Sequence, residues 1–120
     1  MRTLTFKILA PLAFSFVATS AFAHARLETA APAVGSTVAA PSEIRLHFSE
    51  GVEPRFSGVT LTAANGSTAP LGSPSAEGAG RDILVIPVAK PLSPGVYTVH
   101  WHAVSVDTHR TQGTFQFTVK

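Results

Sequence analysis

Apolar and polar side chains alternate along most of the chain. Ile44, Leu46 and Phe48 fall on one side of an extended segment, with Arg45, His47 and Ser49 on the other, which is the period of a half-buried strand. Residues 58–63 repeat the pattern, with Val59 and Leu61 against Thr60 and Thr62. The longest predicted strand covers 96–104: Tyr97, Val99, Trp101 and Ala103 share one face, and Thr98, His100 and His102 the other. Residues 114–119 alternate Phe115, Phe117 and Val119 with Gln116 and Thr118. A first strand is predicted at 25–29, ended by Pro32, Gly35 and Ser36, and another at 83–88, ended or bulged at Pro87. The Gly-, Ser-, Ala- and Pro-rich residues 65–81 read as loop with a weak strand near 69–71, residues 91–95 as a turn, and 105–113 as polar connection. No helical period is sustained after residue 23. About seven short strands in roughly 100 residues predict an all-β antiparallel sandwich, with Phe48, Trp101, Phe115 and Phe117 as its aromatic core.

The first 23 residues have a different texture. Arg2 and Lys7 accompany an apolar run from Ile8 to Val17, and Ala21-Phe22-Ala23 gives the small-x-small pattern of a signal peptidase site. The run is short for a membrane span. Residues 1–23 are therefore expected to be a secretory signal and 24–120 a single mature domain outside the cytoplasm. Removing Arg2 and Lys7 takes the net charge from +2 to zero. The remaining Lys and Arg residues are scattered, so no basic stripe points to nucleic acid, and no second apolar segment would insert into a membrane. The absence of cysteine excludes disulfides, thiolate metal sites and cysteine nucleophiles.

Five histidines are the chemical departure from an ordinary small sandwich: His24, His47, His100, His102 and His109. Cleavage after Ala23 would make His24 the chain start, where a free amine and a ring nitrogen can chelate one metal. An α-amine has a pKa near 8, so a metal displaces its proton far more readily than lysine's. Asp107 and His109, two apart in extended chain, would point the same way. One amine, two imidazoles and a carboxylate make the tetragonal N₃O set that Cu(II) favours. His47 reads as a solvent-facing strand histidine. His100 and His102 share a face and could form an auxiliary pair for Cu(II) or Zn(II). With no Cys, and no Met beyond Met1, the mature chain cannot build a soft Cu(I) site or a blue-copper centre.

These residues together resemble the CopC family of periplasmic copper-binding proteins. The resemblance rests on an Ala-x-Ala signal end followed by His24, then Ala31-Pro32, Gly35-Ser36 and Leu46-His47-Phe48-Ser49-Glu50. Pro91-Leu92, Gly95-x-Tyr97, Trp101, Ala103-Val104-Ser105-x-Asp107-x-His109, Gly113 and Phe115-x-Phe117 follow in order. It implies an immunoglobulin-like Greek-key sandwich or barrel and a copper carrier or buffer in copper homeostasis or resistance. One Cu(II) per chain would be held by His24, Asp107 and His109. It also implies a periplasmic location and an inner-membrane copper transporter of the CopD type as partner. The loop around 65–80, methionine-rich in family members that hold Cu(I), has no methionine here, so the chain resembles the Cu(II)-only members.

The chain is expected to be a monomer and not an enzyme. The alternative is a copper-dependent oxidative enzyme built on an N-terminal histidine chelate, as in the polysaccharide oxygenases. Against it, Asp107 and His109 would fill equatorial positions that oxygen needs, and a chain with one tyrosine and one tryptophan offers little stacking surface for a sugar polymer.

Overall fold

The computed structural model describes residues 24–120, together with the isolated Thr3, Thr5 and Pro11. The predicted signal segment otherwise lies outside the described residues. Among the described residues nine strands follow one another: β1 Leu27–Ala31, β2 Thr37–Val38, β3 Glu43–Phe48, β4 Gly58–Ala63, β5 Thr68–Ala69, β6 Ser75–Glu77, β7 Ile83–Pro87, β8 Gly95–Val104 and β9 Arg110–Val119. They form a four-stranded sheet in the order β1-β3-β7-β6 and a five-stranded sheet in the order β2-β9-β8-β4-β5. This is the predicted sandwich, and the sheets do not close into a barrel. One pairing departs from the antiparallel rule: β2 runs parallel to β9 through Thr37 opposite Thr118 and Val38 opposite Val119.

The alternation read from the sequence is the burial pattern. Ile44, Leu46 and Phe48 of β3 and Val99 and Ala103 of β8 are completely buried. Phe117 and Val119 of β9, Leu61 of β4, and Leu84 and Ile86 of β7 complete the inner layer. The Phe48 and Trp101 rings meet edge to face at 5.3 Å across the two sheets, and Tyr97 stacks on Phe117 at 5.8 Å. The Tyr97 hydroxyl donates 2.7 Å to the Ser93 carbonyl, which keeps its polar tip satisfied at the edge of an apolar layer.

The differences from the sequence reading are local. The first strand lies at 27–31 rather than 25–29, because Ala25 is buried in the core cluster while a register irregularity between Leu27 and Thr29 bends the strand onto β3. β9 begins at Arg110, inside the segment read as connection. Its first residues pair with β8 from Arg110 opposite Val104 to Gly113 opposite Trp101. Their inward positions are Thr111 and Gly113, so no apolar alternation marks them. β2, β5 and β6 are two or three residues long, too short to show a period.

Candidate metal centre

β8 and β9 are joined at one end of the five-stranded sheet by residues 105–109. Ser105 is completely buried there and organises the turn. Its amide donates 2.9 Å to the His109 carbonyl, and its hydroxyl accepts from the His109 amide at 3.2 Å. The same hydroxyl donates to Asp107 Oδ1 in a short hydrogen bond. Thr108 takes a φ of 74°, left-handed backbone that is costly for a β-branched residue. Its amide donates 2.8 Å to the Ser105 carbonyl. Asp107 and His109 therefore meet by folding the chain back through Thr108, not by sharing one side of an extended strand. The result is the predicted pairing: His109 Nδ1 lies 3.3 Å from Asp107 Oδ1. The Ser105 hydroxyl above all, and then His109, hold the Asp107 carboxyl below its ordinary range, because both favour its charged form.

The other contributor arrives from the far end of the chain. Ser49 Oγ accepts from the Arg26 amide at 2.9 Å and donates 3.3 Å to the His24 carbonyl. The Ser49 amide donates 2.8 Å to the Arg26 carbonyl. From β9, Thr111 Oγ1 donates 2.8 Å to the Ala25 carbonyl. Residues 24–26 are thus stapled to both sheets, and the His24 ring stands edge-on to the His109 ring, centroids 4.7 Å apart at 87°. His24 Nδ1 is buried.

His24, Asp107 and His109 are therefore brought to one end of the sandwich. Among the described residues no three His, Asp or Glu side chains already converge on one ion position. Rotation of the two rings about their side-chain torsions is what would aim their nitrogens at a common point beside Asp107. Glu50 adds a second carboxylate: it lines a concavity with His24, Arg26 and Ser49, and its Oε1 is buried without a hydrogen-bond partner. Ser49, Glu50 and Ser105 were not singled out by sequence reasoning. Their only signal is their place in the Leu46-to-Glu50 and Ala103-to-His109 stretches.

The other histidines lie elsewhere. His47, on the outer face of β3, is not simply solvated: its Nε2 lies 3.0 Å from Asp82 Oδ2, and this bond holds Asp82 below the ordinary carboxylate range. His100 and His102 stand exposed on the outer face of β8, across the sheet from the core.

Comparison with known proteins gives this geometry its setting. The chain is 44% identical over 110 residues to copper resistance protein C of Escherichia coli, covering 87% of each chain. The crystal structure of PcoC, a methionine-rich copper resistance protein from Escherichia coli, superposes with a TM-score of 0.68 at 42% identity, over 81% of this chain and 99% of that one. The copper transport protein CutJ of Bacillus subtilis is 28% identical over 105 residues, which make up 19% of its length. In this chain residues 27–120, which carry both sheets and the Asp107–His109 turn, match the CopC domain, and the chain belongs to the CopC family.

Proposed function

We propose that the protein is a periplasmic Cu(II) carrier in copper resistance or homeostasis, binding one Cu(II) per chain through His24, Asp107 and His109. The observation that carries this reading is the edge contact of the His24 and His109 rings beside a carboxylate held ionised by Ser105. Residues from opposite ends of the domain meet there, and their donor types match a tetragonal Cu(II) set. The fourth donor is the His24 nitrogen, which becomes a free amine only on cleavage after Ala23. Capture is then coupled to export, since the uncleaved chain has an amide at that position.

The copper-resistance relatives support the cargo. The lack of any methionine after Met1 sets this chain apart from a methionine-rich relative and supports Cu(II) over Cu(I). The occurrence of the same domain as about a fifth of a copper transport protein supports delivery to a membrane transporter of the CopD type. Carriage rather than catalysis is supported by the donor set, in which the Asp107 carboxylate would take the equatorial position that an oxygen-activating copper leaves open.

Adding one residue ahead of His24 tests the proposal. Loss of a direct ligand should cost more than the about 10–100-fold typical of an outer-shell partner, measured by competitive Cu(II) titration against the processed protein. Equal affinity in the two forms would overturn it. Nitrogen hyperfine structure from three nitrogens in the Cu(II) EPR spectrum is the expected signature.

A further inference from the structure

The outer face of the five-stranded sheet carries almost no charge. Thr60 and Thr62 of β4, Thr98 of β8, and Gln112, Thr114 and Gln116 of β9 make up most of its middle. Two imidazoles stand in this neutral field, His100 and His102, both exposed. Backbone pairing on both edges of β8 fixes their spacing. His100 lies opposite Thr60 and Thr114, and His102 opposite Gly58 and Gln112. Two residues of extended chain put their Cα atoms about 7 Å apart with side chains parallel, the span across which two rings can close on one ion.

The neighbours leave room for this. Gly58 offers no side chain beside His102, and a Cβ there would come within 3.3 Å of His102 Cε1, so the imidazole lies against the glycine. On the β9 side, one concavity is lined by His102, Arg110 and Gln112 and another by His100, Gln112 and Thr114. Gln112 lines both, and its side chain carries an amide carbonyl, an oxygen donor next to the two rings in the sheet.

We propose that His100, His102 and Gln112 form a second divalent metal site for Cu(II) or Zn(II), distinct from the His24 centre. Imidazole selects these ions, and with one amide oxygen the set is neutral. No carboxylate on this part of the face offsets the ion's charge, and Arg110 at its rim opposes it. The site is therefore the weaker of the two and fills second.

Isothermal titration of the purified protein with Cu(II) alone tests this, independently of the N-terminal reading. The processed protein should take two equivalents. The His100→Thr/His102→Thr double variant, which keeps β-propensity on an exposed strand face, should take one, with an unchanged melting temperature without metal. The form extended ahead of His24 should retain a single weak equivalent, lost when both Thr substitutions are added. His47→Ala should leave the stoichiometry at two. A second equivalent that survives the double variant, disappears in His47→Ala, or is absent from the processed protein overturns the proposal. Failure of the His24 centre alone would show instead as a loss confined to the first, tighter equivalent.

Discussion

Ser105 has one hydroxyl proton and gives it to Asp107 while accepting from the His109 amide. One buried atom thus sets both the charge of one proposed ligand and the position of the other. Ser105→Ala should let the Asp107 pKa rise toward the ordinary carboxylate range, read by NMR titration of the carboxyl carbon. It should also weaken Cu(II) binding by about 10–100-fold, the usual cost of an outer-shell partner. The pH dependence follows from the sign. A carboxyl depressed in the folded state contributes stability that is fully present above its unfolded pKa and is lost as pH falls through the folded value. The stability gap between wild type and Ser105→Ala should therefore narrow on acidification below about pH 4, measured by urea denaturation without metal. Asp82 obeys the same sign through His47. His24, Asp107 and His109 were legible in the sequence as candidate ligands, because imidazole and carboxylate announce their chemistry by type. Ser105, Ser49 and Glu50 were not, because a hydroxyl or a lone acid acquires its role only from what surrounds it.

The β8–β9 hairpin is the element that matters most, since it supplies the core face, the Asp107–His109 turn and the outer histidines. Its tightest point is Gly113 against Trp101, where a Cβ would lie 2.7 Å from the indole. Gly113→Ala should force the ring to move and cost about 1–3 kcal/mol by overpacking, measured by urea denaturation followed by Trp101 emission, with a red shift as the ring leaves the core. The same glycine explains why the start of β9 was hidden. The inward positions of its first half carry Thr111 and a glycine that makes space for a neighbour, so the apolar alternation that identified β3 and β8 is missing although the backbone pairing is continuous. β2 and β6 escaped for a different reason, and β5 was visible only as the weak strand read near 69–71. β5 and β6 are held by pairing to β4 and β7, and long-range pairing leaves no trace in local pattern.

For the molecule as a whole, the class of fold was readable from periodicity, because β3, β8 and the second half of β9 alternate cleanly and the apolar run of β7 is short enough for a strand. The arrangement of sheets was not, since pairing such as β1 with β3 and the parallel β2–β9 contact joins segments by topology. Copper at the His24 centre would tie residue 24 to a turn more than 80 positions away. A ligand that binds only the folded form stabilises it by about 2.7 kcal/mol at 100 times its Kd. Stoichiometric Cu(II) should therefore raise the melting temperature of the processed protein and leave that of the extended form nearly unchanged, by differential scanning calorimetry. Acidification should release the metal as the amine and imidazoles take up protons. The burial of Ala25, only two positions beyond the proposed cleavage point, bears on timing. A leader still attached to a finished domain would be rooted against a closed core, with Ser49 and Thr111 already gripping the residues a protease must draw into its cleft. On the proposed cleavage after Ala23, processing before the sandwich closes would meet no such obstacle, and processing after it would have to prise residues 24–26 from Ser49 and Thr111.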